Sequence, residues 1–199
     1  MTRIAIKCFL ENEAFFLKFT DDLKNGKVAV LPTDTLYGFA ADAGNPKGVD
    51  AIYRMKGREE MKPLILFLND VVKLSGIGIV LDDFQRDFLA KHWPGAVTAI
   101  FPLAGRPLAA FHHLTLGVRI PAHEGLLKIL AKYPGNLLTT SVNVSGQPPL
   151  NDPQEIDTKF SDGISWLIDD GTLPISPPST VVDMSCRPPK VLRLGKVLP

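Results

Sequence analysis

Short apolar runs, each halted by proline or by polar turn residues, most constrain the fold of this chain. Val28 to Leu31 ends at Pro32, Leu64 to Leu68 follows Pro63, and Leu137 to Thr140 breaks into Ser141. Runs this short and abrupt suit buried strands. Between them lie segments with helical spacing. Glu11 to Asn25 puts Phe15, Phe16, Phe19 and Leu23 on one face, and Gly26 is placed to end that helix. Val49, Ile52 and Met55 recur at helical spacing, and Asp82 or Asp83 caps a helix carrying Phe84, Phe88 and Leu89 inward before Pro94. Glu124 to Tyr133 and a helix opened by Asp152-Pro153 follow. Val97 to Phe101, Leu116 to Ile120, Ser165 to Ile168, Thr180 to Asp183 and Val191 to Leu194 complete the strands. This order predicts one α/β domain with a mixed sheet. The long irregular connection from Leu103 to Thr115 is of the kind that carries function.

At 199 residues, 45% hydrophobic and 22% charged, the chain can bury a single core. A formal net charge of +1 excludes a generally basic nucleic-acid binder. Cys8 and Cys186 form no CxxC pair, so a reduced cytoplasmic setting is expected. No signal peptide is expected, and no stretch approaches the roughly 20 apolar residues needed to span a bilayer. The Pro-rich patches at Pro148-Pro149 and Pro177-Pro178 read as rigid loops inside the domain.

Several common catalytic signatures are missing. The chain has no Gly-rich phosphate loop, no dinucleotide-binding turn, no HExxH and no nucleophile elbow. His112 and His113 lack the spacing to place two ligands on one helix face, and no metal site is expected. Chemistry concentrates elsewhere. Pro32 to Gly38 gathers two hydroxyls, a carboxylate and a phenol directly after a buried strand, where open α/β sheets bind ligands. Lys56 to Pro63 brings cations together at the end of a helix. They either offset the helix dipole from an exposed helix end or clamp a triphosphate. Thr139 to Gly146 leaves a strand straight into a polar turn. Each segment alone also fits an ordinary turn or helix end.

Taken in order, these segments resemble the YrdC-like family. Its pattern runs Pro-Thr-Asp/Glu-Thr-x-Tyr-Gly, Lys-Gly-Arg, Lys/Asn-Pro-Leu, a Gly- and Val-containing strand ending Arg-x-Pro, Ser-x-Asn-x-Ser-Gly, Ser-Thr-Val-Val-Asp and Leu-Arg-x-Gly. Here these are Pro32 to Gly38, Lys56 to Arg58, Lys62 to Leu64, Gly117 to Pro121, Ser141 to Gly146, Ser179 to Asp183 and Leu192 to Gly195. The match departs at Val142 and Val144, and Gly117 stands closer to Arg119 than the motif glycine does. A related branch that has lost the Lys-Gly-Arg triplet differs from this chain, which keeps it.

The resemblance implies residues 1–199 as one YrdC-like domain, with its motifs between about residues 10 and 196. A twisted mixed sheet flanked by helices would surround a concave pocket. Longer members add a C-terminal domain over that pocket, which is not expected here. The implied activity is a nucleotidyltransferase, an L-threonylcarbamoyladenylate synthase. It joins L-threonine, bicarbonate and ATP with Mg²⁺, and releases pyrophosphate. The product serves threonylcarbamoyladenosine modification of tRNA. Downstream threonylcarbamoyl-transferase proteins are the implied partners, with tRNA itself a candidate contact and no membrane involved.

By resemblance, Lys56, Arg58, Ser141 and Asn143 form the catalytic set. Arg58, Lys62, Thr115, Ser141, Asn143 and Arg193 would hold ATP. Thr35, Phe67, Arg119, Thr139 and Ser179 would hold threonine, and Asp34 would bind metal indirectly or fix its turn. The rival classes are a non-catalytic RNA-binding module and a carbamoyl-handling domain with another acceptor.

Overall fold

The computed structural model describes residues 1–57, 63–103, 108 and 113–199. The chain opens with strand β1 (Thr2–Ala5), helices α1 (Ile6–Glu11) and α2 (Glu13–Lys24), and strands β2 (Ala29–Leu31) and β3 (Gly38–Asp42). Helix α3 (Pro46–Lys56), strand β4 (Ile65–Phe67), helices α4 (Lys73–Gly76) and α5 (Asp83–His92), and strands β5 (Val97–Pro102) and β6 (Thr115–Arg119) follow. Helix α6 (Glu124–Lys132), strand β7 (Leu137–Ser141), helix α7 (Pro153–Phe160) and strands β8 (Trp166–Asp169), β9 (Thr180–Asp183) and β10 (Lys190–Arg193) complete it. No helix among the described residues is long and apolar enough to cross a membrane.

Local chemistry sets the helix ends. Asp82 accepts from the Gln85 amide at 2.9 Å, and the Gln85 side chain accepts from the Asp82 amide at 3.1 Å, a reciprocal cap on α5. Asp152 accepts from Gln154 N–H at 2.8 Å, with Pro153 in the first turn of α7. Gly57 closes α3 at φ 56°, a left-handed position that suits glycine.

The strands form one ten-stranded mixed sheet in the order β1-β8-β2-β3-β7-β4-β6-β5-β9-β10. Successive side chains in a strand point to opposite faces, so register decides what each face carries. Val30, Phe39, Leu66, Val118 and Leu138 fall on one face and pack with Ile52 of α3, Leu89 of α5 and Ile156 of α7. Ala29, Leu31, Ala40, Phe67 and Leu137 fall on the other, under Phe9, Phe16, Phe19, Leu23 and Ile129 from α1, α2 and α6.

Two helix residues expected inward turn outward instead. Phe15 is 37% exposed, because Phe16, Phe19 and Leu23 already fill the buried stripe of α2; its ring meets the edge of Trp166. Phe84, 40% exposed, lies beneath the Arg187 guanidinium.

Candidate active site

On the face shared with α1, α2 and α6, part of the sheet carries no helix among the described residues. There β3, β7, β4 and β6 floor an open cleft of about 100 Å³. Ladder register explains who meets there. Phe67 lies opposite Arg119 on one side, and Ile65 lies opposite Thr139 on the other. Gly38 pairs with Ser141 at the next edge of the floor.

The turn after β2 is folded around one hydroxyl. Thr33 Oγ1 donates to Leu36 O at 2.7 Å and accepts from the amides of Thr35 and Leu36, both at 3.0 Å. Its single proton is thereby used, so the 3.1 Å contact between the Thr33 and Thr35 hydroxyls has Thr35 as donor. Thr35 Oγ1 in turn accepts from Arg119 Nη1 at 3.1 Å. Tyr37 also lines the cleft, yet its hydroxyl donates to Gly171 O at 2.8 Å and accepts from Asp170 N–H at 2.9 Å. The phenol therefore ties the turn to the loop after β8.

Arg119 is the central charge, with a side chain 3% exposed. Its Nε donates to Gly95 O at 2.8 Å, and its Nη2 meets Asp34 Oδ1 at 2.6 Å. Burial pushes the guanidinium below arginine's ordinary value; Asp34 opposes the shift and nearby Arg193 adds to it. Phe67 lies beside this guanidinium, 6.0 Å from ring centroid to Cζ.

The opposite wall comes from Pro178 and Ser179, just before β9, and from Arg193 at the end of β10. Ser179 and Thr98 share a hydrogen bond at 2.8 Å, and Arg193 donates to Ser179 O at 2.9 Å. Arg193 has no acidic partner among the described residues, and burial lowers its pKa too. The chain then crosses back over this wall. Gly195 N–H donates to Thr180 Oγ1 at 2.9 Å, Lys196 N–H to Pro178 O at 2.8 Å, and Lys196 Nζ to Asp34 O at 2.7 Å. A Cβ on Gly195 would stand 2.1 Å from Pro178 O, so the crossing has no room for a side chain.

Thr35, Phe67, Arg119, Thr139, Ser141, Ser179 and Arg193 thus line one cleft. Lys56 and Asn143 lie behind Ser141 and outside that lining. Lys56, expected at an exposed helix end, is buried at 2% exposure. The reason is that its ammonium reaches Ser141 O at 2.6 Å and Asn143 Oδ1 at 2.7 Å. Ser141 Oγ donates to the same Asn143 oxygen at 2.7 Å. Thr115 is exposed at the start of β6, opposite Pro102. At strand rise that is roughly 13 Å from Arg119. Arg58 and Lys62 lie outside the described residues. Asp34 as the partner of Arg119, and Thr98 as the partner of Ser179, had no signal in the sequence beyond Asp34's place in the turn.

The Sua5/YciO/YrdC family profile, described as "Telomere recombination", matches residues 21–195. The chain belongs to that family. Threonylcarbamoyl-AMP synthase of Chromohalobacter salexigens is 31% identical over 165 residues, covering 81% of this chain and 88% of that protein. Threonylcarbamoyl-AMP synthase of Pyrococcus abyssi is 32% identical over 176 residues, which is 87% of this chain but 52% of the relative. The crystal structure of P. abyssi Sua5 complexed with L-threonine superposes with a TM-score of 0.81 at 29% identity, covering 92% of this chain and 55% of that one. The chain thus spans about half the length of the P. abyssi protein and most of the C. salexigens one.

Proposed function

We propose that this chain is a threonylcarbamoyl-AMP synthase, joining L-threonine, bicarbonate and ATP into L-threonylcarbamoyladenylate and pyrophosphate for threonylcarbamoyladenosine modification of tRNA. The observation that carries the reading is Arg119, a buried guanidinium opening onto a hydroxyl-lined cleft. Such a group grips a carboxylate by paired hydrogen bonds. Threonine complexed with a related Sua5 protein supports the choice of amino acid.

In this reading the threonine carboxylate pairs with Arg119, and its side chain rests against Ile65, Phe67 and Thr139. The free amine bonds to the carbon of bicarbonate and water leaves, giving a carbamate. A carbamate oxygen then bonds to the α-phosphorus of ATP as the bond to the pyrophosphate breaks. No protein nucleophile is needed. The chain contributes position and charge neutralisation. Arg193 and Ser141 are proposed to face the phosphates, and Arg58 and Lys62, outside the described residues, would neutralise the triphosphate. Thr115, exposed at the start of β6, is proposed as a further nucleotide contact.

Among the described residues no cluster of three or more His, Cys, Asp or Glu could hold a metal ion. The donors in the cleft are hydroxyls, and Asp34 is engaged by Arg119. Mg²⁺ is proposed as a companion of the ATP phosphates, whose charge it would neutralise. The deciding experiment incubates pure protein with ATP, Mg²⁺, bicarbonate and L-threonine, and seeks threonylcarbamoyl-AMP by mass spectrometry. ATP consumption that depends on carbamoyl phosphate and ignores threonine would place the chain with carbamoyl-handling domains.

A further inference from the structure

A guanidinium has five N–H groups, and Arg119 commits one from each nitrogen. Nε–H goes to Gly95 O at 2.8 Å, one Nη1–H to Thr35 Oγ1 at 3.1 Å, and one Nη2–H to Asp34 Oδ1 at 2.6 Å. One N–H remains on each terminal nitrogen, the number a carboxylate needs for a two-point grip. Asp34 itself is held from two sides. The Thr33 hydroxyl folds the turn on either side of it, and Lys196 Nζ takes its backbone carbonyl at 2.7 Å. Its side chain is 13% exposed and does not line the cleft.

We infer that Asp34 is a positioning residue for carboxylate recognition: it fixes the guanidinium of Arg119 so that its uncommitted N–H pair is presented to the ligand. The inference rests on the reading that the cleft takes an α-amino acid, and it adds the group that sets that acid's carboxylate affinity. Two effects of removing the Asp34 charge compete. A more positive cleft would attract a carboxylate more strongly. An uncompensated guanidinium, buried beside Arg193, would also lose its alignment and turn toward other acceptors. With Arg119 only 3% exposed, alignment governs.

The test titrates L-threonine and, separately, ATP into the wild type, Asp34→Asn and Asp34→Glu by calorimetry. Asp34→Asn should weaken L-threonine by about tenfold, the size of a lost charge-assisted contact, and leave ATP affinity unchanged. Asp34→Glu should restore most of the threonine affinity. Threonine bound by Asp34→Asn as tightly as by the wild type, or more tightly, overturns the inference, as does an equal loss of both ligands. A spectroscopic readout keeps this separate from the function itself. The Arg119 guanidinium protons should be individually resolved by NMR in the wild type and merge through faster rotation in Asp34→Asn. A wild type that binds no threonine removes the functional reading, while unchanged Arg119 resonances remove the positioning role.

Discussion

The ammonium of Lys56 lies 2.7 Å from the side-chain oxygen of Asn143 and 3.2 Å from its backbone carbonyl. With Ser141 O as a third acceptor at 2.6 Å, each ammonium proton has a protein partner. Both lone pairs of Asn143 Oδ1 are taken by Lys56 and Ser141, and its amide protons go to Val144 O and Gln147 O. The pair therefore shapes the turn that presents Ser141 to the cleft.

Lys56→Met should destabilise the fold, because it strands buried acceptors that a methionine cannot satisfy. A lost hydrogen bond to a charged group costs about 1.5–3 kcal/mol. Urea denaturation should show that loss, whereas a surface clamp would leave stability untouched and affect ATP alone.

Gly195→Ala should lower the thermal midpoint and weaken ATP binding together. Overpacking of this kind costs about 1–3 kcal/mol. The methyl would press on Pro178 O and displace the crossing that carries Arg193 and Lys196. A thermal shift matching the wild type, with normal ATP affinity, would contradict the role given to this segment.

Amino-acid choice should follow the order threonine, serine, then valine far behind. Thr139 is buried with its hydroxyl donating to Ile65 O at 3.2 Å, which leaves oxygen lone pairs for a substrate hydroxyl. Serine forfeits a methyl against Phe67, worth about 1–3 kcal/mol. Valine leaves the polar partner unmet, a heavier loss. Pyrophosphate release with each acid measures the order, and valine ahead of serine would mean an apolar pocket.

Alkaline conditions should destabilise the fold through two tyrosines. Burial pushes the Tyr37 hydroxyl up to about 12, and burial together with the Asp42 carboxylate raises Tyr133 as well. An unfolded tyrosine titrates near about 10. Above that pH the unfolded chain holds fewer protons than the native one, so stability falls as pH rises; below it the contribution is complete. Urea midpoints should decline from about pH 10 to 12. Tyr37→Phe should start lower, having lost its bonds to Gly171 and Asp170, and decline less steeply. An undiminished slope in that variant would put the proton release elsewhere.

Much of the fold was legible because its strands are short apolar runs bounded by proline, and because Asp82 and Asp152 cap their helices in the expected way. Strand β3 was not legible. Gly38-Phe39-Ala40-Ala41-Asp42 has little intrinsic strand character, and pairing with β2 and β7 makes it a strand. Short β1 and α1 were missed for a similar reason, since docking on β8 and α2 holds them. Within the site, seven of the residues that motif order singled out line one cleft, while Lys56, Asn143 and Thr115 do not. Partnerships across the fold stayed hidden. A lysine reads as solvated unless its carbonyl acceptors are seen, and those of Lys56 arrive with β7. The Asp34–Arg119 pair likewise exists only once β6 lies near the turn after β2.

Thr35, Phe67, Arg119, Thr139 and Ser179 come from separate stretches of the chain, which meet only in the finished sheet. No isolated fragment holds the whole constellation. A ligand spanning these groups has little to bind in a partly folded chain, so its occupancy stabilises the native state by mass action. Substrate would then act as a folding clamp, slowing local opening at strand ends far from any atom it touches.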